Sequence, residues 1–215
     1  MPGILAERVA VPARFAWPID SEAPGELLAS VEPLAVARSA VESSGVAEGD
    51  RCLVVGAGSQ GLLVCLSLIA LGAQPDVVDT HRGRTDFAVD LGARHAEGGR
   101  DYPFVFETAG AAAAVREALD RAAPLATVVL IGLNSADLPL SIQELVRRQL
   151  TLRGKLIYDH PRDFADTLNS LGHGPLLSRV IGATYAPDDA GDAFSQARTV
   201  VGKTWIDLST WHAPG

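Results

Sequence analysis

The chain has 215 residues, 47% hydrophobic and 20% charged, enough for one domain or one and a half with a full core. Its 26 acidic and 18 basic residues leave a net charge of −8 with no basic stripe, which argues against a nucleic-acid partner. The longest apolar stretch, Gly61 to Ala73, is shorter than the ~20 residues that cross a bilayer and reads as a core helix. Met1 to Glu7 lacks the charged and apolar regions of a signal peptide, so the expectation is a cytoplasmic protein with no membrane partner. Cys52 and Cys65 lie inside apolar runs and are expected to be small buried hydrophobes.

Residues 1–33 are rich in proline and show only a strand-like run, Glu7 to Val11, before a helix expected to start near Leu34. From there short β-rich runs alternate with helical patterns, the signature of parallel βαβ units. Arg51–Val55 is a continuous apolar run, as a strand buried on both faces requires, and Ser59–Leu71 is a helix. A strand at Pro75–Asp79, a helix at Arg84–Leu91 ended by Gly92 and a strand at Phe104–Glu107 follow. An alanine-rich helix, Ala111–Ala122, is stopped by Pro124. Thr127–Ile131 and Leu150–Ile157 supply two more strands, with a helix at Ser141–Arg148 between them. Beyond Pro161 the pattern predicts helices at Asp163–Leu171 and Asp188–Ala197 and strands at Arg179–Ala183 and Lys203–Leu208. The predicted class is α/β, a Rossmann doubly wound parallel sheet of about six strands. Residues 34–160 form the dinucleotide-binding domain, and a C-terminal flank, 161–215, packs with the N-terminal flank, 1–33.

Gly56-Ala57-Gly58-Ser59-Gln60-Gly61 lies between the first strand and the first helix of this unit, and a carboxylate, Asp79, ends the next strand 18 residues after Gly61. That context assigns each glycine a duty: Gly56 makes the tight turn, Gly58 lets backbone approach a pyrophosphate, and Gly61 permits close helix–strand packing. Free N–H groups at Ser59 and Gln60, together with the helix dipole, favour an anion. Asp79 is expected to accept hydrogen bonds from the adenosine ribose, with Thr80 and Arg82 beside it. A 2′-phosphate would meet the Asp79 charge, which favours NAD; His81, Arg82 and Arg84 keep NADP open.

Several ordered stretches resemble the zinc-dependent medium-chain alcohol and polyol dehydrogenases. Val31–Ala37 looks like that family's entry into its coenzyme domain, and Gly49–Gly58 like its first strand and loop. Phe106-Glu107-Thr108-Ala109-Gly110, Val129–Leu133, Leu150–Gly154 and Gly202–Ile206 match in order. The resemblance implies cofactor contacts at Thr108, Ala109, Gly110, Ile131, Gly132 and Leu133, and an anion contact at Lys203. It also implies a homodimer joined through the edge strand near Leu150–Ile157. Family members carry a further N-terminal GroES-like barrel with zinc ligands; the chain here is expected to start around the last strand of that barrel, its two flanks being remnants of the catalytic domain. No Cys/His ligand pair or cysteine cluster is present, so the expected metal set is none and the chemistry zinc-independent.

Glu32 falls where the polyol branch places a carboxylate near the catalytic zinc; it is read either as an acid/base group or as a relic capping the helix near Leu34. The same resemblance puts Tyr158, Asp159 and His160 near the reactive end of the nicotinamide, which makes Glu32, Tyr158 and His160 the candidate proton donors. His95, His173 and His212 are read as surface or loop residues, and Trp205 and Trp211 as packing for the C-terminal strand. The expected function is an NAD(P)-dependent oxidoreductase moving a hydride to or from a small molecule, in specialised metabolism or biosynthesis. The alternatives are a non-catalytic NAD(P)-binding sensor or subunit and an enzyme that keeps its dinucleotide as a prosthetic group.

Overall fold

The run Arg51–Val55 forms β1, with every residue but Arg51 buried, as a strand covered on both faces requires. The computed structural model describes residues 5–6, 9–19, 23–133, 135–171 and 176–211. β1 pairs in parallel with β2 (Gln74–Val78) on one side and β4 (Tyr102–Glu107) on the other. Parallel pairing continues outward to β3 (Arg94–His95) on the first side, and through β5 (Ala122–Leu130) to β6 (Thr151–Gly154) on the second. The order β3-β2-β1-β4-β5-β6 is that of the Rossmann sheet, and the direction of winding reverses between β1 and β4. The carboxyl ends of these two strands therefore frame the crevice in which a doubly wound fold holds its ligand.

Alternation along β1 feeds two cores. Cys52 and Val54 join a cluster with Ala37, Ala40, Leu62, Leu63 and Leu68, whereas Leu53 and Val55 join one with Val105, Val115 and Leu119. α2 (Ser59–Ala70) is buried at Gly61–Cys65, Ser67 and Leu68, so packing rather than propensity holds it; a fully buried Leu or Val contributes about 1.5–3 kcal/mol. α3 (Arg82–Asp90), α4 (Ala112–Arg121) and α5 (Ile142–Arg148) make the crossovers β2–β3, β4–β5 and β5–β6. α6 (Arg162–Ser170) follows the sheet, and β7 (Ile181–Tyr185) and β8 (Lys203–Ile206) form a separate parallel pair, with α7 (Ala190–Gln196) between them. Both thiols are buried, as expected, and burial pushes each up to about 12. Among the described residues no helix is long and apolar enough to cross a membrane.

Four expectations need correction. The helix predicted to start near Leu34 is α1, Gly25–Ser44, which carries Pro33 in its interior. A mid-helix proline costs about 3 kcal/mol, yet buried Val31, Val36 and Val41, at about 1.5–3 kcal/mol each, outweigh it. Glu32 therefore sits mid-helix and caps nothing, and α1 runs on through residues 33 and 34. The strand-like run Glu7–Val11 forms no strand at Val9–Val11, which are exposed and make no ladder; Glu7 and Arg8 lie outside the described residues. The strand at Leu150–Ile157 shrinks to β6: its partner β5 ends at Leu130, whose carbonyl takes the Lys155 N–H at 2.9 Å, and Leu156 and Ile157 beyond are exposed. Finally, β5 starts at Ala122, ahead of the expected Thr127, and takes in Pro124: the register jumps from Tyr102↔Ala122 to Phe104↔Thr127, and Leu125 in this bulge has φ 67.

Candidate cofactor site at the sheet switch point

The glycine loop leaves the carboxyl end of β1 and enters α2 with the sterics its spacing implies. Gly56 has φ 99, and its N–H donates to the Val78 carbonyl at 2.8 Å. A Cβ on Gly61 would stand 1.9 Å from the Gly56 carbonyl oxygen, so loop and helix touch backbone to backbone. At Gly58 nothing lies within 4 Å of the Cβ position, leaving open space over the loop. No side chain caps α2, so its first-turn N–H groups have no side-chain acceptor at the N-cap. Uncapped donors at a helix N-terminus fit an anionic pyrophosphate.

Asp79 follows β2 and reaches back to the loop: its Oδ2 accepts from the Ala57 N–H and its Oδ1 from the His81 N–H, both at 2.8 Å. Burial would raise this carboxyl, but those two N–H groups and the Arg84 charge outweigh it and hold Asp79 below its ordinary range. Asp79 is thus an anion with lone pairs left for further donors. Next to it lies a cleft of about 320 Å³ lined by Val78, Asp79, Thr80, Arg82, Thr85 and His95. Arg82 is solvated and pairs loosely with Asp86 at 3.7 Å, whereas Arg84 donates to the Arg198 carbonyl. His95, expected on the surface, is half-exposed, lies 3.1 Å from Asp86 and lines this cleft.

On the other side of the switch point the turns after β4 and β5 are stitched to the loop. Thr108 donates through its N–H to Val55 O and through Oγ1 to Gly56 O, each at 2.9 Å. Gly110 has φ 68, and a Cβ on Gly132 would stand 2.1 Å from Gly110 N, so the two turns interlock. Ala109 and Gly110 lie in one turn and Ile131, Gly132 and Leu133 in the other, where Leu133 is 79% exposed. Sequence reasoning missed Glu107, which ends β4 fully buried with its Oε1 accepting from Ala109 N–H at 2.9 Å and Gly110 N–H at 2.8 Å. The readable signal was a carboxylate closing an otherwise apolar strand.

The flanks bring Glu32, Tyr158 and His160 together with rings that sequence reasoning did not place there. Phe15 and Trp17 lie 5.6 and 5.9 Å, ring to ring, from His160, and Tyr158 lies 6.5 Å from it. Phe164 closes the group against Trp17 at 5.4 Å and Tyr158 at 5.7 Å. Burial first, and the negative charge of Glu32 second, push the Tyr158 phenol up. Gln60 Nε2 donates to Pro33 O at 3.2 Å, tying the glycine-loop helix to α1 beside Glu32. Asp163 anchors the loop from α6: its Oδ2 accepts from Ser39 Oγ at 2.6 Å and from Asp159 N–H at 2.8 Å. Lys203 opens β8 in the separate sheet; Trp205 on that strand packs against the start of α1, 3.0 Å from the Cβ position of Gly25. His173 and His212 lie outside the described residues.

A parallel sheet in Rossmann order, with a glycine cradle and a strand-end aspartate at its switch point, defines a nucleotide-type α/β unit. The pattern of the zinc-binding dehydrogenase family matches residues 61–172. This chain belongs to that family, the zinc-type medium-chain alcohol and polyol dehydrogenases that its ordered motifs resemble. It is 26% identical over 190 residues to an (R,R)-butanediol dehydrogenase of Neisseria gonorrhoeae, covering 81% of this chain and 53% of that protein. The fold superposes on a putative zinc-binding dehydrogenase of Sinorhizobium meliloti 1021 bound to NADP, with TM-score 0.81 and 24% identity over 90% of this chain and 62% of that one. An Escherichia coli CFT073 short chain alcohol dehydrogenase complexed with cofactor NADH gives TM-score 0.78 and 21% identity over 91% and 63%. The chain thus spans roughly half to three-fifths of the length of these proteins.

Proposed function

We propose that this chain binds NAD(P) across the carboxyl ends of β1, β2, β4 and β5 and serves an oxidoreductase that moves a hydride to or from a small molecule. The observation that carries this reading is the uncapped N-terminus of α2, facing open space at Gly58 beside the ionised Asp79. Relatives of the same fold that hold NADH or NADP support it. Ser59 and Gln60 N–H groups would receive the pyrophosphate, Asp79 and Thr80 the adenosine ribose, and Ala109, Gly110, Ile131, Gly132 and Leu133 the nicotinamide half. Arg82 borders the ribose end, and Lys203 is proposed as a further anion contact. The carboxylate of Asp79 would repel a 2′-phosphate, which favours NAD over NADP.

The nucleotide supplies the hydride chemistry, and the chain orients it and handles the proton. Glu32, Tyr158 and His160 are the proposed proton-transfer residues; Glu32 is solvated, and Tyr158 is held protonated by burial and by that neighbouring charge. This reading includes zinc-independent chemistry on the part of these residues. It is supported by the buried thiols of Cys52 and Cys65, whose protons are held tightly. The domain division is proposed as residues 34–160 binding the nucleotide, with the flanks joined through Trp17 on Phe164 and Trp205 on Gly25. A homodimer through β6 belongs to the same proposal: β6 is an edge strand, and beside it Ile142 and Val146 on α5 are 82% and 65% exposed. A monomer at micromolar concentration would refute the dimer.

The deciding experiment mixes protein with NADH and with NADPH, follows binding by fluorescence, and repeats it with Asp79→Ala. Binding of NADH that weakens at least tenfold in the variant supports the reading. If neither nucleotide binds in the millimolar range, the reading is overturned.

A further inference from the structure

Glu107 ends β4 beneath the site, with no measurable exposure. Its Oε1 satisfies two successive backbone donors, the N–H groups of Ala109 and Gly110. Its Oε2 is equally buried and has no hydrogen-bond partner. Burial raises the carboxyl above its ordinary range, against the opposing pull of the Gly110, Ala109 and Gly132 N–H groups. Gly132 packs against the free oxygen so closely that a Cβ there would stand 2.7 Å from Oε2. The Glu107 backbone carbonyl receives the Ile131 and Gly132 N–H groups at 2.9 and 3.2 Å. One residue therefore contacts both turns on the β4–β5 side of the switch point.

A buried carboxylate with an orphaned oxygen is an expensive way to end a strand, and an apolar residue would pack there at lower cost. What the apolar residue could not do is hold the Ala109 and Gly110 N–H groups while leaving room for Gly132. We propose that Glu107 is a positioning residue for the nicotinamide half of the cofactor: it clamps the turn at 108–110 to the turn at 131–133 and so shapes the shelf on which that half rests. It acts through these turns and touches no part of the nucleotide. In a doubly wound sheet the glycine loop and Asp79 serve one mononucleotide, so the β4–β5 turns serve the other. The inference rests on the nucleotide reading above.

The test separates the two halves of the ligand. NADH, or NADPH if wild type takes it up instead, is titrated against wild type, Glu107→Gln and Glu107→Asp by fluorescence. ADP-ribose, which lacks the nicotinamide, is titrated in parallel by calorimetry, and Tm is recorded for each protein. Gln replaces charge-assisted acceptance by a neutral bond and puts an NH₂ on one side of a crowded carboxyl site; Asp withdraws the carboxylate by one methylene. Both variants are expected to bind the reduced dinucleotide at least tenfold more weakly while ADP-ribose affinity stays within twofold. Equal weakening of both ligands, no weakening of either, or failure of both variants to fold would make Glu107 a stability residue and overturn the proposal. A wild type that binds neither ligand would instead overturn the nucleotide reading itself, and this inference with it.

Discussion

Gly61→Ala sets two physical effects of opposite sign against each other. Alanine in a helix is favoured over glycine by about 1 kcal/mol, so propensity alone predicts a more stable protein. The structure predicts the reverse. The new Cβ would stand 1.9 Å from the Gly56 carbonyl oxygen, about 1.5 Å short of ordinary van der Waals contact, and 2.9 Å from Thr108 Oγ1. The obstacle is backbone that Thr108 already pins through its bond to Gly56 O, so the strain cannot be shed by a side-chain rotation. Overpacking of this kind costs about 1–3 kcal/mol or more, which at least cancels the propensity gain and leaves a net loss of up to about 2 kcal/mol or beyond. At about 2–4 °C per kcal/mol for a chain of this size, thermal denaturation should show Tm lowered by up to about 8 °C. Gly58→Ala is the matched control: with nothing within 4 Å its Tm should stay within about 2 °C, while NADH affinity falls at least tenfold because the methyl group enters the space left for the ligand. A Gly61→Ala protein more stable than wild type would refute the described contact between loop and helix. A Gly58→Ala protein with unchanged affinity would remove the pyrophosphate from that surface.

Further expectations follow from the charged groups. Glu32→Gln should lower the titration of the Tyr158 phenol part of the way toward its ordinary value, because burial persists while the neighbouring charge is gone; a phenolate absorbance titration identical to wild type would refute their proximity. Ser39→Ala removes the 2.6 Å donor to the buried Asp163 carboxylate and should cost about 1.5–3 kcal/mol, read as a drop in the denaturant midpoint with an unchanged slope. Glu107 is raised in the folded state, so the folded protein holds its proton more tightly than the unfolded chain. Its contribution to stability is complete below the ordinary glutamate value near ~4.3 and is lost as pH rises through the raised value. Wild type should therefore lose stability relative to Glu107→Gln across that window, and parallel pH–stability curves would contradict the assignment.

Much of the unit was legible because its determinants are local. A strand buried on both faces must be a continuous apolar run, and Arg51–Val55 is one. A strand-to-helix turn with backbone contact demands glycine at set positions, and Gly56 and Gly61 occupy them whatever the rest of the chain does. Asp79 was readable from its distance along the sequence, since one crossover helix fixes how soon the neighbouring strand ends. The errors arose where a local signal was overruled from afar. Pro33 reads as the first turn of a helix, and only the burial of Val31, Val36 and Val41, the last in the cluster shared with α2 and β1, carries α1 back to Gly25. Leu150–Ile157 reads as one long strand, and only the length of its partner β5 limits it to Thr151–Gly154.

By itself, then, the order of residues determined the Rossmann class, the glycine cradle and the acid beside it, because each depends on sterics and periodicity within a few tens of residues. Tertiary structure decided what no local pattern encodes: that Trp17 meets Phe164 beside Tyr158 and His160, and that Ser39 holds Asp163 beneath that loop. It also decided that Glu107, a residue type that sequence alone assigns to the surface, is buried with one oxygen bound and one free. The physical reason is the same in each case. Burial and pairing belong to surfaces that exist only after distant segments pack together, and a residue's own neighbours in sequence carry no record of them.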